Sequence, residues 1–334
     1  MEAAAHRQLP SLSHALHESP LFEESGPAES GTGPAVEPRP VVIRDLYRAF
    51  KEEGRTLVDI TWEQHRFHEC RRWSAARLLS AIQLEKLSGL DRFVVWNAGR
   101  AEMTAKPSAD RMSRLADAEC RRFLGKDPVV ASIIQSLGTW SRYWNEEESH
   151  HEMGFTQLSR MLGFEPMGDA EVIDYRKIFP DDDLLRTVTM LSFSEGIAAV
   201  NYGQYARRVE DPGLKALLKH VGADEVQHMQ YFIAFAKALV DSGAYPVKES
   251  FAVAHFFLRE GGELYGSARG QVEYRPTHIN WWDHLEAGAG EAAAAPEALE
   301  RKRSLILHAL KRITGISCSS AEEVEEQWME LVGC

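Results

Sequence analysis

Two stretches decide the fold: Trp144-Asn-Glu-Glu-Glu-Ser-His-His151 and Ala223-Asp-Glu-Val-Gln-His228. Each places a glutamate three residues before a histidine inside a long helical pattern. Positions i and i+3 share one face of an α-helix, so each stretch can direct a carboxylate and an imidazole to one point. Four-helix bundles bind a pair of metal ions with two such stretches and one glutamate from each of two further helices.

The first stretch lies in a helical pattern that spans residues 128–162. Glu148 and His151 fall on its apolar face, which predicts that both side chains point into a bundle. Glu147 and His150 have the same spacing and form a competing frame. The periodicity favours the first pair, but the spacing alone leaves both frames open.

The second stretch lies in a pattern over residues 214–242, where apolar residues on one face bracket Glu225 and His228. Burying such groups unpaired would cost several kcal/mol, and bound cations would remove that cost. Between the two stretches, Glu195 is the only acid in the run 191–200. An acid in such an apolar run is rarely buried without a partner, so we interpret Glu195 as a bridging metal ligand.

The fourth ligand follows from the geometry of a helical hairpin. Ligands on antiparallel helices must lie at similar distances from the turn that joins them. Glu148 lies 20 residues after Pro128, so its partner should lie a similar distance before Gly125. Glu102 lies 23 residues before Gly125 and fits, whereas Asp110, at 15 residues, is the alternative.

Composition sets the broad class. The chain has 334 residues, of which 44% are hydrophobic, and no strand pattern of period two persists, so we expect an all-α fold. Residues 1–40 are rich in Pro, Ser, Gly and Glu, which predicts a disordered tail before one helical domain over 41–334. That domain is expected to be a ferritin-like four-helix bundle with additional helices at both ends.

Charge and cysteine content exclude several classes of protein. A net charge of −12 argues against nucleic-acid binding, and no apolar run of about 20 residues is present to span a membrane. The cysteines lack CxxC spacing, which predicts a reduced, cytoplasmic protein without structural zinc. They are Cys70, Cys120, Cys318 and Cys334.

A family resemblance makes this chemistry more specific. The segment 141–151 resembles the Trp-x-x-Glu-Glu-x-x-His segment of soluble acyl-[acyl-carrier-protein] desaturases, and that alignment selects Glu148 with His151. Segments 192–195 and 223–228 also resemble this family, with similar separation, and the likeness covers roughly residues 95–240. The resemblance implies a homodimer whose two iron ions activate oxygen, using electrons from a ferredoxin-type donor, to desaturate an acyl chain carried on acyl carrier protein.

The same resemblance assigns roles to individual residues. Asp224, beside a ligand, matches a family acid linked to electron transfer and is taken as the catalytic residue. The implied iron ligands are Glu102, Glu148, His151, Glu195, Glu225 and His228.

The chain also departs from the family pattern. Ala198 stands three residues after Glu195, where the family usually has a threonine. The segment around Glu102 shares little beyond Pro107, and the region after Tyr245 does not match. A di-iron hydroxylase or N-oxygenase therefore remains an alternative activity, and a ferritin-like iron-binding protein is the non-enzymatic alternative.

The remaining histidines and tryptophans are assigned to packing or to the surface. His65 and His68 share a helix face without an evident carboxylate partner. We interpret Trp62, Trp73 and Trp96 as core or interface aromatics rather than as an electron path. Trp281-Trp282 is likewise assigned to packing.

Overall fold

Helices account for all the regular structure in the part of the chain that the computed structural model describes, which is residues 41–103, 105–165, 168, 183–259 and 296–333. No strand occurs among these residues, so the all-α prediction is confirmed. None of the helices in these ranges is long and apolar enough to cross a membrane. The predicted tail over 1–40, Trp281-Trp282 and Cys334 lie outside the described residues.

The described ranges contain eleven α-helices and one short 3-10 turn, Leu84–Lys86, between α3 and α4. The α-helices are α1 Leu46–Lys51, α2 Leu57–Glu69, α3 Ala75–Leu79, α4 Gly89–Glu102, α5 Ala105–Phe123, α6 Pro128–Met161, α7 Leu184–Arg208, α8 Pro212–Asp241, α9 Lys248–Leu258, α10 Pro296–Thr314 and α11 Ala321–Val332.

Two Asp-Pro pairs fix where the principal helices begin. The Asp127 side chain accepts hydrogen bonds from the first turn of α6, and Pro128 occupies its first position. Asp211 caps α8 in the same way, accepting from Leu214 N at 2.7 Å, with Pro212 at the first position. Each cap satisfies an amide that the helix leaves free, and proline needs no hydrogen bond there. The caps thereby set the start of both helices that carry a Glu-x-x-His stretch.

The helices with predicted ligands pack against one another. α7 and α8 form a hairpin, and α6 packs against α4, α5 and α8. Helices α1, α2 and α3 also pack on α6, while α9 and α10 cover α7. This arrangement surrounds the middle of α6 with helices on several sides, and the middle of α6 is where its ligand pair lies.

Two apolar clusters flank the ligand pairs. On α6, Trp144 belongs to one cluster and Phe155 to the other. On α8 the order is reversed, because Val221 belongs to the second cluster and Phe232 to the first. The Glu-x-x-His stretch of each helix therefore lies between two hydrophobic layers, as expected for antiparallel neighbours. The polar groups meet at one level of the core.

The structure gives the helix boundaries within the predicted helical domain. Six helices, α1 to α6, lie between residues 41 and 162, and a break at Met103 separates α4 from α5. Pro107 lies in the first turn of α5. Helix α9 ends at Leu258, where Arg259 is extended with ψ 158°.

Candidate metal centre

Six side chains from four helices converge in the core. They form two groups of four whose possible ligand atoms lie within 4.8 Å of one another, and the two groups share Glu148 and Glu225. The first group adds Glu102 and His151, and the second adds Glu195 and His228. The structure thus brings together every residue that the sequence proposed as an iron ligand.

The grouping distinguishes the positions of the glutamates and favours Glu102 over Asp110. Glu195 was expected to bridge, but it belongs only to the second group, and the shared positions are those of Glu148 and Glu225. Glu102 is 8% exposed at the end of α4, whereas Asp110 is exposed and pairs with Lys106 at 2.7 Å. The sequence shows the apolar surroundings of Glu195 but not its distances to the neighbouring helices.

Both histidines direct the same ring nitrogen into the cluster. His151 Nδ1 lies 3.3 Å from a Glu225 oxygen and 3.5 Å from a Glu148 oxygen. His228 Nδ1 lies 2.9 Å from Glu148 and 3.3 Å from Glu225. Each imidazole therefore faces the two shared carboxylates. Trp144, which belongs to neither group, donates from Nε1 to Glu148 Oε1 at 2.9 Å and so orients the Glu148 carboxylate.

The opposite ring nitrogens contact two further carboxylates outside the groups. His151 Nε2 lies 3.2 Å from Asp224 Oδ2, and His228 Nε2 lies 2.8 Å from Glu147 Oε2. Metal-binding histidines usually donate their second N–H to such a carboxylate, which fixes the tautomer and the ring orientation. Glu147, whose frame competed in the sequence, thus contacts His228, a member of the second group.

Asp224 lies in a network that the sequence did not reveal. The Trp73 indole donates to Asp224 Oδ2 at 2.6 Å, and Arg71 pairs with the other carboxylate oxygen. The Trp73 ring also stacks near His151 with centroids 6.1 Å apart, and near the exposed His220 at 5.5 Å. The interpretation of Trp73 as a packing aromatic therefore misses its polar contact, which depends on the approach of the segment before α3 to α8.

His68 is the second residue whose role the sequence missed. It is 3% exposed, and its Nδ1 hydrogen-bonds Glu147 Oε1 at 3.0 Å. The expectation that His68 lacks a carboxylate partner is wrong. No periodicity within α2 could have shown this contact, because Glu147 lies 79 residues away on α6.

The electrostatics of the cluster test whether cations fit there. Burial, followed by the charges of Glu225 and Glu148, raises the pKa of Glu102 to about 8. The same causes raise the pKa of Glu195 well above its usual value. Burial lowers the pKa of both histidines, but at His151 it is outweighed by the charge of Glu148 and by hydrogen bonds to carboxylates. At His228 it is outweighed by hydrogen bonds to carboxylates, Glu147 foremost, so both pKa values are raised. Without cations, this chain must therefore hold protons where negative charge is crowded.

Divalent cations would replace those protons. Four carboxylates and two imidazoles provide a mixed oxygen and nitrogen donor set that suits iron and neighbouring transition metals. Two divalent ions would balance the four carboxylate charges, which removes the cost of burying them together. The His151 Nδ1 atom, which is buried without a hydrogen bond among the described residues, faces this position. The residues present therefore fit a pair of metal ions.

Tyr202 adds a neutral contact to the first group. This residue is 3% exposed, and its hydroxyl donates to Glu102 Oε1. A hydrogen bond to a charged group contributes about 1.5–3 kcal/mol. Replacing Tyr202 with phenylalanine should therefore disfavour the ionised form of Glu102. We expect affinity for the ion of the first group to fall about tenfold, as measured by cobalt(II) titration.

Tyr205 provides the matched control for this substitution. It is 5% exposed on the same helix, and its hydroxyl donates to Asp91 rather than to a group member. Tyr205→Phe should leave both cobalt affinities unchanged while removing a comparable hydrogen bond. Equal losses in the two variants would show that the Tyr202 effect comes from general destabilisation.

Comparisons with known protein families, with curated proteins and with solved structures find no match for this chain. The likeness to desaturases therefore depends on the sequence segments quoted above. The geometry of the centre is an independent observation, since it follows from the positions of the side chains.

Proposed function

We propose that this chain is an oxygen-dependent di-iron oxidoreductase with a ferritin-like helical arrangement, and that it desaturates an acyl chain carried on acyl carrier protein. One observation carries the proposal: two buried four-residue groups share Glu148 and Glu225. Packing alone does not require two carboxylates common to two sets of ligands, whereas a pair of adjacent metal ions does.

The side chains of this centre would each have a defined task. Glu148 and Glu225 would hold both ions, while Glu102 with His151 and Glu195 with His228 would complete the two positions. Two bound iron ions would supply oxygen activation strong enough to remove hydrogen from an unactivated C–H bond. The apolar layers on both sides of the ligands exclude water from the oxidising centre.

Electron delivery is supported by the contacts of Asp224. This carboxylate links His151 to the indole of Trp73, and the Trp73 ring stacks with the exposed His220. A continuous set of contacts therefore joins the surface to a ligand of the first group. It fits the role in electron transfer that the resemblance implies for Asp224, with a ferredoxin-type protein as donor.

Replacing Trp73 with phenylalanine tests this role. The variant keeps a ring at this position but loses the N–H that donates to Asp224 at 2.6 Å. We expect turnover with a protein electron donor to fall about 10–100-fold, the range for residues that act through a ligand. Metal content should stay unchanged. Trp96→Phe is the matched control, because its ring packs on Phe164 and Arg100 away from Asp224.

The protein partners are proposed from charge and from the resemblance. Carrier proteins are typically acidic, so a basic patch is expected to dock one despite the chain's net charge of −12. Two exposed arginine pairs, at 121–122 and 207–208, lie at the C-terminal ends of α5 and α7. We further propose a homodimer in the cytoplasm, following the same resemblance.

The decisive experiment supplies the iron-loaded protein with reductant, oxygen and a panel of acyl groups on acyl carrier protein. Mass spectrometry should detect loss of one pair of hydrogens from the preferred acyl chain. Iron content should be about two ions per chain. Iron uptake without any product from the panel would contradict the desaturase proposal and favour a ferritin-like binding protein.

A hydroxylase or N-oxygenase is the second candidate. Ala198 favours it, because this residue packs against an apolar cluster and offers no hydroxyl three residues after Glu195. Such an enzyme would use the same metal ligands but add an oxygen atom to its product. The mass of the product distinguishes the two activities.

A further inference from the structure

Hydrogen bonds link the second group to α2, a helix that carries none of the proposed ligands. His68 lies in the last turn of α2 and is 3% exposed. Its Nδ1 hydrogen-bonds Glu147 Oε1 at 3.0 Å, while Glu147 Oε2 lies 2.8 Å from His228 Nε2. The Glu147 carboxylate is therefore held between two imidazoles, one of which is a proposed metal ligand.

We infer that His68 is a positioning residue for the second metal position: it fixes Glu147, and Glu147 in turn orients His228 towards the cluster. This inference rests on the metal centre of the proposed function. It adds a residue from outside the ligand helices and predicts that the two metal positions depend on different supporting side chains.

The two supporting carboxylates differ in how they are held. Asp224, which contacts His151, accepts a hydrogen bond from the Trp73 indole and forms an ion pair with Arg71. Among the residues that the structure describes, Glu147 hydrogen-bonds only His68 and His228. Loss of one partner would leave Asp224 anchored, whereas loss of His68 would leave Glu147 free to turn away from His228. The second position should therefore be the more sensitive to a single substitution.

The surroundings of His68 indicate that its orientation is defined. Its ring packs on Tyr143 with centroids 4.9 Å apart. His68 Nε2 lies 3.2 Å from Glu146, whose other oxygen accepts from Arg72 at 2.9 Å. Both nitrogens thus face carboxylates, and packing holds the ring between them. A ring packed on Tyr143 and hydrogen-bonded to Glu147 through Nδ1 can impose one orientation on that carboxylate, as support for a metal ligand requires.

Cobalt(II) titration of the full metal-free chain, followed by visible absorption, tests the inference without oxygen or substrate. His68→Ala should bind the first ion with wild-type affinity and the second about 10–100-fold more weakly. His65→Ala is the matched control, since His65 lies one turn earlier on α2 and contacts Tyr143 at 3.4 Å. This control should bind both ions as the wild type does. Added imidazole should partly restore the second affinity in His68→Ala.

Glu147→Gln keeps the inference falsifiable if His68→Ala folds poorly. It should weaken the same ion, and the double variant should be no weaker than Glu147→Gln alone, because His68 acts through Glu147. Additive losses, or wild-type binding of both ions by His68→Ala, would overturn the inference. If the wild type binds both ions but makes no acyl product, the desaturase proposal fails and the inference stands. If the wild type binds no cobalt, both fail.

Discussion

Replacing Glu225 with glutamine is expected to abolish binding of both metal ions. The same change at Glu102 or Glu195 should abolish binding of only one ion. The reason is geometric, since Glu225 belongs to both groups and the other two each belong to one. Glutamine preserves the volume of the side chain, so the apolar layers around the centre should still pack. The amide provides neither the charge nor the second strong donor that a bridging ligand needs.

The measurement is metal content after dialysis, together with a cobalt(II) titration of each variant. Wild-type chain should retain about two ions, and Glu225→Gln should lose at least about 100-fold in affinity for each. Asp110→Asn is the control, because Asp110 is exposed and pairs only with Lys106 among the described contacts. Loss of a single ion in Glu225→Gln would refute the shared position of this carboxylate.

The sequence predicts the helices and the six side chains that converge in the core because both depend on local pattern. The i, i+3 spacing determines which side chains share a face, and the Asp127-Pro128 and Asp211-Pro212 pairs mark where the two principal helices begin. Periodicity and capping act within a few residues. They are therefore visible without any knowledge of how helices pack.

The parts that the sequence did not predict depend on tertiary contacts. Whether Glu195 bridges is decided by its distance to residues on other helices, and the structure places it in the second group alone. His68 and Trp73 contact their carboxylates across 79 and 151 residues, respectively. Both were assigned to packing or the surface because the sequence around each of them shows nothing unusual. Residues that support a ligand from a distance leave no local pattern in the sequence.

Metal uptake by this centre is expected to release protons and to strengthen as the pH rises. Metal ions bind ionised carboxylates and neutral imidazoles. In the metal-free chain, burial and the charges of Glu225 and Glu148 raise the pKa of Glu102 to about 8, so this acid carries a proton at pH 7. The pKa values of His151 and His228 are also raised, which favours the protonated form of both rings.

The raised pKa values of these groups determine how metal affinity depends on pH. Glu102, whose pKa is about 8 without metal, must lose its proton when an ion binds, and the raised pKa values of His151 and His228 act in the same direction. Below those pKa values, every proton released per ion makes the affinity about tenfold weaker for each unit by which the pH falls. Affinity should therefore be lower at pH 6 than at pH 8.

Calorimetric titration with cobalt(II) in two buffers that differ in ionisation enthalpy measures the protons directly. The heat of binding should differ between the buffers in proportion to the number released. Glu102→Gln should release fewer protons in total than the wild type, because the acid whose pKa is about 8 has gone. Identical heats in both buffers would mean that the buried carboxylates are already ionised without metal. The four acids would then need another source of positive charge, and their crowding would no longer favour bound cations.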